Sequence, residues 1–160
     1  MAFNLMELLT GGAPKKEERK SLASLAPSIG KEVISDNLLD AISFVESSSG
    51  TNPARLIKNG VGALGEYQIR EEMFTDIQKH FPETRNMSFE DAALGNNRRD
   101  IAKKALEVTA MNLSSEGVAP THEAVVTAYH TGAGNVAKGN VGDKGKRYFK
   151  DVTSFLNRSK

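Results

Sequence analysis

The chain of 160 residues contains no cysteine. That excludes disulfides, thiolate metal sites and thiol nucleophiles, and leaves the redox compartment open. An excess of charge of one sign is also lacking. Lys and Arg number 21 against 20 Asp and Glu, a net +1, so no overall field points to nucleic acid as a partner. No apolar run approaches the roughly 18 residues that a membrane-spanning helix needs. The N-terminal stretch MAFNLMELLTGGAPKKEERK lacks the order of a signal peptide, because its positive charges follow a short apolar part instead of preceding it. Internal repeats and low-complexity tracts are absent. His80, His122 and His130 have no metal-ligand spacing. His122-Glu123 begins like a zinc-protease helix, but Val126 stands where the second ligand would fall. Gly132-Ala133-Gly134 follows a helical pattern, not a strand, and Gly145-Lys146 lacks the Ser or Thr of a phosphate loop. No metal and no cofactor are therefore expected.

What is present suits one domain with a separate N-terminal segment. Residues 1–29 hold a short apolar stretch, Phe3 to Leu9, stopped by Gly11-Gly12 and Pro14, then a mixed-charge run. They read as a tail or a docking segment for a partner. The domain proper is expected over residues 30–160. Asp36 is placed to cap a helix in which Leu38, Ala41, Ile42 and Val45 recur at helical spacing. Glu46 falls on its last turn, where the helix dipole opposes a negative charge and favours the protonated acid. A serine loop follows, and then Gly60 to Gln68 carries three glycines and reads as a small hairpin.

A helix through Met73, Phe74, Ile77 and Phe81 ends before Pro82. Ser88 opens a capping-box start to a long helical region that stops at Gly117 and Pro120. Thr121 caps the helix HEAVVTAYH, Thr131 to Asn135 reads as a loop, and Asp143 caps a last helix. The expected fold is mainly α, about five helices beside one small β-hairpin. The C-terminal part is basic, with seven Lys or Arg against two Asp from Gly132 to Lys160. That suits an acidic polymer, and equally a solvated surface.

Three segments occur in a telling order: Ala41-Ile42-Ser43-Phe44-Val45-Glu46-Ser47, Gly62-Ala63-Leu64-Gly65-Glu66-Tyr67-Gln68-Ile69, and Ala128-Tyr129-His130-Thr131-Gly132-Ala133-Gly134-Asn135-Val136. They resemble the signature motifs of the soluble lytic transglycosylase family, which has a goose-type lysozyme-like fold. Tyr148-Phe149-Lys150-Asp151-Val152 is similar to the family's closing Tyr-x-x-x-Val helix. The likeness spans about Asp36 to Leu156. Each motif alone is weak; three in order are much more specific. The resemblance implies an α+β lysozyme-like domain that cleaves the β-1,4 bond between N-acetylmuramic acid and N-acetylglucosamine in peptidoglycan, leaving 1,6-anhydro ends. It implies Glu46 as the one acid and base. Ser47, Gln68, Tyr129 and His130 would line the sugar site, with Tyr67 as a ring contact.

Two positions depart from the family pattern. Glu66-Tyr67 stands where Leu-Met is usual, and His130 where asparagine is common. Glu66 is either a second carboxylate, which would open a hydrolytic, lysozyme-type outcome, or a solvent-facing or salt-bridged residue; the second is favoured because charged side chains are usually solvated. His130 can still donate to an acetamido group, with a charge that depends on pH. A non-catalytic wall-binding or virion structural module on the same fold is the other alternative. Compact family members without a signal peptide occur in bacteriophage particles. The implied setting is thus the bacterial cell wall in the periplasm, reached as a virion component or through a secretion apparatus, with residues 1–29 as the contact to those partners.

Overall fold

A computed structural model describes residues 33–158; the segment 1–29, with its expected docking role, lies outside the described residues. The fold is mainly α with a small two-stranded antiparallel sheet, as expected. In chain order the elements are α1 (Asp36–Ser47), a 3-10 turn (Pro53–Leu56), β1 (Ala63–Leu64), β2 (Ile69–Arg70), α2 (Glu71–His80), a second 3-10 turn (Pro82–Thr84), α3 (Phe89–Leu94), α4 (Arg98–Ser115), α5 (His122–Thr131), α6 (Ala133–Ala137) and α7 (Gly142–Arg158). None of these helices is long and apolar enough to cross a membrane.

The centre is α4. Ile101, Ala105, Leu106, Val108 and Leu113 are at most 1 % exposed, and buried residues occur around most of the helix. A helix without a clear polar face must be covered on several sides, and α2, α3, α5 and α6 supply that cover. Against this bundle α1 buries Leu38, Leu39 and Ile42, and α7 packs across both α1 and α5 through Tyr148 and Val152. Each fully buried Leu or Ile contributes about 1.5–3 kcal/mol of hydrophobic stabilisation.

Several expected boundaries shift. Ser35, not Asp36, caps α1: its backbone is extended and its hydroxyl accepts from Leu38 N at 3.2 Å. Asp36 instead supplies a carboxylate to the first turn. The long helical region breaks between α3 and α4 at Gly95, where a Cβ would lie 2.3 Å from the Asp91 carbonyl oxygen. The Thr131–Asn135 stretch is not a loop. Gly132, at φ 90°, turns the chain out of α5 and directly into α6. Asp143 lies inside the first turn of α7, which begins at Gly142. Thr121 and Ser88 cap α5 and α3 as expected, accepting from Ala124 N and Asp91 N.

Candidate active site

Glu46 sits on the last turn of α1, and the chain reverses immediately after it. Ser48 and Ser49 both adopt left-handed backbone, at φ 53° and 59°, and Gly50 continues it at 78°. For a serine this costs about 1 kcal/mol or more. The turn is held by Ser48 N donating to Phe44 O at 2.9 Å and Ser49 N to Ser43 O at 3.1 Å. Ser47 completes it: its hydroxyl donates to Ser43 O at 3.1 Å and accepts from Gly50 N at 2.8 Å. Ser47 is therefore buried and engaged in shaping the turn, not in contacting the acid.

Glu46 itself is partly buried, and its pKa is pushed from 4.5 up to about 7. Desolvation is the largest cause; a Tyr148 hydroxyl interaction and the positive charges of Arg55 and Arg70 act against it. Tyr148 comes from α7. Its hydroxyl is buried and makes no regular hydrogen bond, so its approach to Glu46 is looser than that geometry. The rings of Tyr148 and His130 are stacked, 4.5 Å between centroids and 14° apart in plane. Burial, then Arg70 and Lys144, lower the His130 pKa, so its ring is neutral at neutral pH.

Tyr129 reaches the same place from α5. Its hydroxyl donates to the Tyr67 carbonyl at 2.8 Å, not to Glu46, and its pKa is raised by burial first and then by the nearby Glu46 charge. Gln68 is a clamp. At φ 48°, it donates through Nε2 to Arg55 O at 3.2 Å and Gly65 O at 2.9 Å. Its Oε1 accepts from Arg55 Nη1 and Asn59 Nδ2, both at 3.2 Å. Beside these residues lies a cavity of about 190 Å³, whose lining includes Gln68, Arg70, Tyr129 and Gly132. Glu46 does not line it; Arg70 and Tyr129, which interact electrostatically with Glu46, do.

Tyr67 is placed elsewhere, and Glu66 takes the salt-bridged place favoured from the sequence. Tyr67 is 2 % exposed and sits in the core, with its hydroxyl accepting from Arg99 Nη1 at 3.3 Å. A ring so enclosed has no face to offer a sugar, which corrects its assignment as a ring contact. Glu66 is a structural ion-pair partner: it accepts from Ser43 Oγ at 2.5 Å and Arg98 Nε at 2.7 Å. Although desolvation pushes its pKa up, these hydrogen bonds and the Arg98 charge more than offset it and hold it lowered, so Glu66 stays ionised. Glu66→Gln is expected to lose about 1.5–3 kcal/mol of stability, the worth of a hydrogen bond to a charged group, read as a lowered melting temperature. An unchanged melting temperature would show that the ion pair with Arg98 contributes nothing measurable to the fold.

Among the described residues no cluster of three or more His, Asp or Glu is arranged to hold a metal. Comparison with known proteins returns nothing: no family model, no curated protein and no solved structure matches the chain. The site must therefore be judged on its own chemistry. Sequence reasoning passed over three of its members. Tyr148 was visible only as part of the closing-helix pattern, and Arg55 and Arg70 carried no signal, because their approach to Glu46 is set by tertiary folding and not by a local pattern.

Proposed function

We propose that this protein is a peptidoglycan lytic transglycosylase with Glu46 as its single acid and base. The observation that carries the reading is the electrostatic contrast between the two candidate carboxyls. Glu46 is desolvated and poised at about 7, able both to give and to take a proton near neutrality. Glu66 is held ionised by Arg98 and Ser43. One raised-pKa acid, with the other candidate carboxyl held in an ion pair, suits a reaction in which the substrate supplies its own nucleophile.

Protonated Glu46 donates its proton to the glycosidic oxygen as the C1–O bond breaks, and the N-acetylglucosamine product leaves with a 4-hydroxyl. The Glu46 carboxylate then takes the proton of the muramyl 6-hydroxyl while O6 bonds to C1. The product is a 1,6-anhydro sugar, Glu46 is protonated again, and no water is consumed. The Tyr129 and Tyr148 hydroxyls are buried beside Glu46, and after burial itself the Glu46 charge raises the pKa of both.

Mass analysis of muropeptides released from purified walls tests this reading. The expected products carry 1,6-anhydro-muramyl ends. Reducing muramyl ends would replace the transglycosylase with a hydrolase, and absence of any soluble product would leave a non-catalytic wall-binding module.

A further inference from the structure

Two guanidinium groups act on Glu46. Arg55 lies in the first 3-10 turn and Arg70 on β2, and both are partly buried. Each makes its side-chain hydrogen bond to a neutral acceptor. Arg55 Nη1 donates to Gln68 Oε1 at 3.2 Å, and Arg70 Nη2 donates to the His130 carbonyl at 2.8 Å. Neither has a carboxylate within ion-pair distance among the described residues. By contrast, Arg98 holds one, Glu66, and Arg99 holds two, Asp36 and Asp40. The uncompensated pair works against the proposed chemistry, because two cations favour the ionised form of the group that must donate a proton.

A planar guanidinium is shaped to receive a carboxylate, and Arg70 shares its cavity with Gln68, the residue that tethers Arg55. Of the acids lining this cavity, Asp76 is paired with Lys79 and Glu72 is exposed; both lie on α2, and neither acts on Glu46. The charged and titratable groups that do act on Glu46 come from the 3-10 turn (Arg55), β2 (Arg70) and α7 (Tyr148), with Tyr129 of α5 coupled to it.

We propose that Arg55 and Arg70 bind a carboxylate carried by the glycan strand, so that the protein selects anionic strands and the bound anion completes Glu46 as a proton donor. The inference rests on the proposed function. Its logic is linkage: an anion that neutralises the two arginines removes the field opposing protonation, and a protonated Glu46 in turn favours the anion. The carboxylate has two sources in such a polymer, the lactyl ether of muramic acid and the stem peptide. A neutral N-acetylglucosamine oligomer has neither.

The first test needs no turnover. The Glu46 carboxyl is followed by ¹³C NMR across pH, assigned by its absence in Glu46→Gln, with N-acetylmuramic acid as probe and N-acetylglucosamine as neutral control. The acid sugar is expected to move the Glu46 midpoint upward, and the neutral sugar to leave it in place. In Arg55→Gln and Arg70→Gln the free protein's midpoint is already higher and the acid sugar no longer moves it; Arg70→Lys, which keeps the charge, retains the wild-type midpoint. Equal shifts with both sugars, or variants that respond like the wild type, overturn the proposal.

The second test compares kcat/KM on peptide-bearing strands, peptide-stripped strands and the same strands with their carboxylates amidated. Amidation is expected to cost the wild type about tenfold or more, and Arg55→Gln/Arg70→Gln much less. Loss on stripping alone assigns the stem-peptide carboxylate; loss only on amidation of stripped strands assigns the lactyl group. An NMR shift without cleavage of any strand keeps the carboxylate site and removes the transglycosylase reading. Cleavage indifferent to amidation does the reverse.

Discussion

Glu46→Gln is expected to lower wall cleavage by about 10²–10⁴-fold, the usual worth of a positioned general acid and base, and at the same time to stabilise the protein at alkaline pH. The two effects share one cause. Burial favours the neutral carboxyl and moves its pKa from 4.5 to about 7. Below about pH 4.5 the group is neutral in the folded and unfolded chain alike, and it carries no pH-dependent penalty. Between 4.5 and 7 the unfolded chain ionises first, so folded stability falls as pH rises, and above 7 the loss is complete. A shift of that size corresponds to about 3 kcal/mol. Glutamine cannot ionise. The variant should therefore melt close to the wild type at pH 4 and clearly above it at pH 8, while a zymogram shows no clearing. In the wild type kcat/KM should fall about tenfold per pH unit above about 7, as the free protein loses its acid. Unchanged clearing by the variant removes Glu46 from the chemistry. Lost clearing with equal destabilisation at both pH values makes Glu46 a structural residue.

Glu46 was legible because it rests on local rules. Helical periodicity fixed α1, and the acid's place on its last turn followed from where that periodicity stops, before a run of serines and a glycine. The hairpin was legible from its glycines for the same reason. What escaped was decided by packing at long range. Tyr67 sits in a glycine-rich turn that sequence reasoning assigned to the groove, but α4 brings Arg99 to its hydroxyl and closes it into the core. Tyr148 approaches Glu46 only because α7 returns across α1. The cap of α1 was missed by one position, since Ser35 and Asp36 are both good caps and the extended backbone at Ser35 decides between them. A six-residue stretch with two glycines, Gly132 to Ala137, gives no helical signal, yet it packs as α6 against α4 and α5.

Gly65→Ala is expected to be the most damaging single-methyl change in the hairpin. Gly65 has φ 81°, a conformation that costs an alanine about 1–2 kcal/mol. The steric clash costs more. A Cβ at this position would lie 2.2 Å from the Ala93 carbonyl oxygen and 3.0 Å from its carbon, both backbone atoms of α3 that no rotamer change can move aside. Gly65 is also the knot of the turn: its N–H donates to Arg55 O at 2.7 Å, and its carbonyl accepts from both the backbone and the side chain of Gln68. To admit a methyl group the hairpin must lift from α3, which pulls on Arg55 and Gln68 together. The combined loss should reach about 3–5 kcal/mol, a large share of the stability of an ordinary domain. Gly60→Ala is the control, because nothing lies within 4 Å of its Cβ and its φ is not positive; it should change stability by no more than about 0.5 kcal/mol. Denaturant melts of the two variants decide the matter. If Gly65→Ala unfolds at the wild-type midpoint, the hairpin does not pack tightly on α3. If it unfolds early while Glu46 in the surviving folded fraction also shifts its titration midpoint, the hairpin's hold on Arg55 is what sets the field around the acid.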